Sequence, residues 1–115
     1  MQQPTLFGER GVDGIDDERV VLYALGDFQA RGKVLIEREL PLDRLRGALK
    51  RAVEVFAVED LDDERAVATL SRLGAQVRRV PTFVAKHPFR VTVLAPLAEQ
   101  ARQFYENVTT QIKRQ

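Results

Sequence analysis

Apolar and polar positions change rhythm several times along this chain, and each rhythm predicts an element. From Arg19 the run RVVLYAL is β-branched and aromatic, and Gly26-Asp27 follows it. A two-residue turn with glycine at positive φ predicts a hairpin there. The next stretch alternates. Phe28, Ala30, Gly32, Val34 and Ile36 share one side, Gln29, Arg31, Lys33 and Glu37 the other, and Leu35 is out of step. Such alternation marks a half-buried strand. The turn would pair Leu25 with Phe28, Tyr23 with Ala30 and Val21 with Gly32, with Tyr23 diagonal to Gly32 and covering its missing side chain.

After Pro41 the period becomes helical. Leu42, Leu45, Leu49, Val53 and Phe56 recur at three and four residues, while Arg44, Lys50 and Arg51 lie off that stripe. VEVFAV also reads as a strand, which leaves open an end to the helix near Arg51. The segment DLDDERAVATLSRLGAQV has two readings. As a helix it has an acidic start at Asp60, Asp62 and Asp63, a stripe at Val67, Leu70 and Leu73, and a stop at Gly74. As a strand it turns at Gly74-Ala75 and pairs with QVRRVPTFVAK. VRRVPTFVAKHPFRVTVLA predicts a hairpin around Lys86-His87-Pro88, with Pro81 assigning its strand to an edge or a bulge. Pro96 opens a last helix at its first position, where a missing N–H is no loss. Its stripe is Leu97, Ala101, Phe104, Val108 and Ile112, with Glu99 early and Lys113 and Arg114 late, as the helix dipole prefers.

The order RVVLYALGDFQARGKVLI, a short helix, then VRRVPTFVAKHPFRVTVL resembles small uncharacterised bacterial proteins built mostly of antiparallel strands. The resemblance implies a fold and no function, and with it the strand reading of residues 60–73 is adopted over the helix. The fold expected is a single small α+β domain, an antiparallel sheet or partly closed barrel of about five strands with a central and a C-terminal helix. It occupies residues 18–115. Residues 1–17, with three glycines and the acidic run beginning at Asp16, read as a flexible N-terminal tail.

Composition narrows the chemistry. At 115 residues there is room for one core, and a net charge of +1 gives no global pull toward nucleic acid or an anionic membrane. Cysteine is absent, which excludes disulfides, thiolate catalysis and sulfur-ligated zinc and fits a reducing compartment. The longest strictly apolar run, Val20 to Leu25, is too short to cross a bilayer. The expectation is a cytoplasmic protein without membrane association and without a cofactor.

Candidate chemistry is sparse. The one histidine, His87, belongs to a Lys-His-Pro turn, and the one serine, Ser71, to a different element, so no nucleophile and base are brought together by sequence. No glycine-rich strand-to-helix turn suits a phosphate. Asp60, Asp62, Asp63 and Glu64 lack the loop glycine and distant glutamate of a calcium loop and read as a helix start or solvated turn. No catalytic or metal site is expected, and the chain is read as a non-enzymatic interaction module. Arg31, Lys33, Arg78 and Arg90 fall in the predicted sheet, where a shared face would contact nucleic-acid phosphates; scattered solvated charge is the reading preferred. The end of the last helix, Phe104, Val108 and Ile112, is a candidate homodimer seam, against the alternative that the same stripe closes the sheet within one chain.

One short pattern stands apart. Gln3-Pro4-Thr5-Leu6-Phe7 resembles the peptide by which bacterial DNA polymerases and repair proteins hold the sliding clamp: a glutamine, two variable residues, leucine, phenylalanine. The resemblance implies a protein partner, the clamp, gripped by Leu6 and Phe7 in an apolar groove with Gln3 as a polar clasp. The eukaryotic and archaeal version would need aromatics where Gly8 and Glu9 stand.

Overall fold

The computed structural model describes residues 9–81 and 88–114. Among them are four helices and three strands. They run α1 (Glu9–Ala30), β1 (Glu39–Pro41), a 3-10 turn (Leu42–Leu45), α2 (Arg46–Phe56), α3 (Asp63–Leu73), β2 (Gln76–Arg79), β3 (Phe89–Thr92) and α4 (Ala95–Arg114). The fold is α+β, with an open antiparallel sheet of order β1-β3-β2.

The largest departure from the sequence reading is α1. The run that suggested a hairpin is helical as far as Ala30, part of one helix of 22 residues, and Gly26-Asp27 lies inside it. Val20, Val21, Leu22, Tyr23, Ala24, Leu25 and Phe28 are all buried. A helix apolar on every side belongs at the centre of a packed unit. α1 does so, touching α2, α3 and α4. A short continuous apolar run has no period to separate a buried strand from a buried helix, and packing decides between them. Gly26 therefore supplies close approach rather than a turn. A Cβ built there would stand 2.6 Å from the Ala101 carbonyl oxygen and collide with the Tyr105 side chain.

The second departure is α3, read above as a strand. Both of its ends are written locally. Asp62 caps the start, its carboxylate accepting from the Arg65 backbone N–H at 2.8 Å. Gly74 closes the other end at φ +110°, with Ala75 N–H donating to Leu70 O at 2.9 Å. Ala66, Thr69 and Leu70 turn inward. α2 likewise continues through VEVF to Phe56 instead of yielding to a strand. With these segments helical, three short strands remain, the sheet stays open, and the expected five-strand barrel is not formed.

The second predicted hairpin is seen in part: its two strands pair, but Pro88 stands opposite Val80 in the pairing rather than at the turn, and residues 82–87, with Lys86 and His87, lie outside the described residues. β2 and β3 pair with Val77 opposite Val91 and Arg78 opposite Arg90, and Val80 N–H donates to Pro88 O at 2.7 Å. β2 is an edge strand and Pro81 lies beyond its end, where no ladder bond is needed from it. β1 pairs on the other side of β3, Leu40 opposite Val91. Leu40, Phe89, Val91 and Val93 form the sheet's buried face, joined to Leu42, Leu45, Leu49 and the α1 core. The other face carries Glu39, Gln76, Arg78, Arg90 and Thr92.

Candidate functional site

The sheet's outer face follows from register. In an antiparallel ladder, directly opposed residues point to the same side and alternate along each strand. Arg90 on β3 is opposite Arg78 on β2 and Pro41 on β1; the next row is Thr92, Gln76 and Glu39. Two guanidinium side chains thus share a face at neighbouring positions. Glu39 crosses toward them. Its carboxylate accepts from Arg78 Nε at 2.6 Å and from Arg78 Nη2 at 2.9 Å, a two-pronged pair. The Arg78 hydrogen bond holds the Glu39 carboxyl below its ordinary range, and the charge of Arg90 adds to the effect. Next along β2, Arg79 lies with its guanidinium carbon 5.1 Å from the centroid of the Phe89 ring.

Of the four basic residues expected together, the structure joins Arg78 and Arg90 and separates Arg31 and Lys33. Arg31 follows the last turn of α1 and pairs with Asp27 at 3.2 Å; Lys33 sits in the loop beyond. Their expected place on the sheet depended on a strand that is a helix.

The α4 residues divide in the same way. Phe104 stacks on Phe56 with centroids 6.3 Å apart, and Val108 is partly buried against the core. Ile112 is 50% exposed. Gln3, Leu6 and Phe7 lie outside the described residues, as does His87. Ser71 is exposed on α3.

A charged cluster that sequence reasoning missed is centred on Asp27, itself 4% exposed, at the edge of the core where both its arginine partners reach solvent. Arg51 reaches it from α2, with Nη2 at 2.5 Å and Nε at 2.9 Å, and Arg31 reaches it from one turn along the chain. The signal was present as an acidic residue four positions before an arginine, at the end of an apolar run. Reading Gly26-Asp27 as a turn hid it. The cluster is fully partnered, as a buried carboxylate must be, and it ties α1 to α2.

The acidic residues 60–64 are engaged locally. Asp62 caps α3, Asp60 accepts from the Leu61 N–H, and Asp63 pairs with Arg46, whose Nη1 also donates to Leu61 O at 2.6 Å. They line an open depression beside Arg46. Among the described residues, no group of three or more histidines or carboxylates is placed to hold a metal ion, and no helix is long and apolar enough to cross a membrane. No family model, curated protein or solved structure matches this chain.

Proposed function

We propose that this protein is a non-enzymatic, cytoplasmic interaction module that holds a DNA sliding clamp through Gln3, Leu6 and Phe7, acting as an accessory to replication or repair. The observation that carries the reading is the spacing of glutamine, leucine and phenylalanine in Gln3-Pro4-Thr5-Leu6-Phe7. Recognition of this kind needs a short peptide with two large apolar anchors and a polar clasp, presented to a groove already formed on the partner. Pro4 restricts the peptide backbone before binding and so lowers the ordering cost.

The test is binding of the full chain to a purified bacterial clamp. Changing Gln3, Leu6 and Phe7 together to Ala should abolish binding, since removing anchor side chains from a groove costs about 2 kcal/mol or more. The thermal midpoint should not move. Unchanged binding rejects the reading, and a lowered midpoint would show that the peptide packs on its own domain instead.

A second reading, a self-associating structural or regulatory protein, is favoured by one observation. Ile112 is half exposed at the end of an apolar stripe on α4. Phe104 and Val108 are already engaged within the chain, so this reading rests on the last turns of the helix.

A further inference from the structure

We infer that the outer edge of β2 is a strand-docking site. An extended segment of another protein adds there as a fourth strand, with an apolar side chain against Val77 and a carboxylate against Arg79. The inference goes beyond the clamp reading and uses none of its residues.

The phase of the sheet carries it. In an antiparallel ladder a residue's N–H and C=O point to the same neighbouring strand, and successive residues point to opposite sides. Val80 N–H donates to Pro88 O at 2.7 Å. Counting back along the register, Arg78 and Gln76 also turn their backbone groups toward β3, to Arg90 and Thr92. Val77 and Arg79 therefore turn theirs away from it. β2 is an end strand of the order β1-β3-β2, so no strand among the described residues receives these two N–H and two C=O groups. The opposite edge is not equivalent. Leu40 meets Val91 there, which leaves Glu39 and Pro41 facing outward, and Pro41 has no N–H to give. A further strand would find one donor beside β1 and two beside β2. Open edges of this kind accept an extended chain through main-chain hydrogen bonds, and alternate side chains set which chain.

The side chains at the edge state what fits. Val77 and Arg79 lie opposite Val91 and Phe89, on the side of the sheet that faces the helices. Val77 is half-buried, and an apolar cross-strand neighbour would complete its cover. Arg79 is exposed, its guanidinium lies over the Phe89 ring, and no described carboxylate pairs with it. Contact with a ring face leaves the in-plane N–H donors for an acceptor. Arg78 is occupied by Glu39 and is not called upon. A strand running antiparallel to β2 would read carboxylate, any residue, apolar residue, the first opposite Arg79 and the last opposite Val77. A second copy of β2 does not supply this. A twofold pairing that uses all four groups of each strand sets Val77 against Arg79 and Arg78 against Arg78, and like charges directly opposite oppose pairing.

The test titrates the isotope-labelled full chain with an end-blocked peptide, Thr-Thr-Glu-Thr-Val-Thr-Thr, and follows the backbone amides by NMR. The Val77 and Arg79 amides should shift and exchange with solvent more slowly, while the Arg78 amide, already bonded toward β3, keeps its exchange rate. Replacing the peptide's Glu by Lys should weaken binding by about fivefold. Arg79→Glu should reverse that preference, which a damaged sheet cannot mimic. Val77→Pro removes one outward donor and spares the ladder to β3, and should weaken both peptides. The chain with Gln3, Leu6 and Phe7 changed to Ala should bind the peptide as the wild type does, which separates this edge from the clamp reading. Unmoved Val77 and Arg79 amides at millimolar peptide, an unchanged preference in Arg79→Glu, or full binding by Val77→Pro would each overturn the proposal. Protection of the same two amides without peptide, rising with protein concentration, would overturn it in favour of a second copy of the chain.

Discussion

Asp27 and Ala57 are two residues in conformations or surroundings that their types ordinarily avoid, and each has an identifiable compensation. Asp27 keeps a carboxylate buried at the edge of the core because Arg51 and Arg31 both donate to it. Ala57 ends α2 in the left-handed region at φ 56°, where its Cβ crowds the backbone. It stays there because the turn satisfies two helix-end carbonyls: Ala57 N–H donates to Glu54 O and Val58 N–H to Val53 O at 3.1 Å. Glycine would make the same two bonds without the crowding, and Ala57 is exposed, so no packing is lost. Ala57→Gly should stabilise the protein by about 0.5–1 kcal/mol, the steric relief exceeding glycine's extra unfolded-state freedom. A denaturant melt checks it, and a midpoint lower than wild type would refute the account of how α2 ends.

At the scale of elements, α1 is the member against which the other helices are arranged. Arginines from neighbouring helices reach its acidic positions: Arg51 of α2 to Asp27, Arg65 of α3 to Asp17, and Arg72 of α3 to Glu18. The Arg72–Glu18 pair is exposed on both sides and fixes orientation more than it adds stability, while the Arg65–Asp17 pair is half sheltered on its carboxylate side. The contact with α4 is different, because it depends on the absence of a side chain. Gly26 lets α4 approach until the Gln29 amide donates to Ala98 O at 2.9 Å and Tyr23 meets Tyr105 with ring centroids 4.9 Å apart. In an isolated helix Gly26→Ala would be favourable by about 1 kcal/mol. Here the added methyl would meet the Ala101 carbonyl and Tyr105, and α4 would have to retreat. The expected net effect is destabilisation by about 1–3 kcal/mol, as for other overpacked contacts. It should appear as a lower thermal midpoint with altered tyrosine near-ultraviolet circular dichroism; a raised midpoint would mean that the helices are less closely apposed.

For the molecule as a whole, the longest dimension is 47 Å, and α1 alone is about 33 Å long. α1 and α4 run antiparallel, since Gln29 meets Ala98 while Tyr23 meets Tyr105. Burial of the α4 stripe declines along its length. Leu97 and Ala101 are buried, Phe104 and Val108 partly so, and Ile112 is half exposed. If self-association uses this end, Ile112→Glu should give a folded monomer where the wild type sediments as a dimer. The fold should survive because Ile112 lies outside the buried core. A wild type that sediments as a monomer at high concentration would remove the second reading and leave the clamp reading unaffected.

The sequence by itself determined what is local. The α+β class, the β2–β3 hairpin, the helical stripe of Leu42, Leu45, Leu49 and Val53, and the final helix all follow from short-range period and from proline placement. The capping residues Asp62 and Gly74 were legible too, although α3 was read against them. Only the tertiary structure decided the fate of Val20 to Leu25, because a run apolar on all sides has no face to reveal its period, and burial from every direction chose the helix. That choice removed two expected strands and drew Arg31 away from Arg78 and Arg90. It also turned Gly26 from a turn residue into a contact point and placed Asp27 at the edge of the core. The outer face of the sheet was half legible for the same reason. Arg78 and Arg90 can be assigned to strands from their own neighbours, but their register, and the arrival of Glu39 from a third strand, depend on long-range pairing that no local pattern encodes.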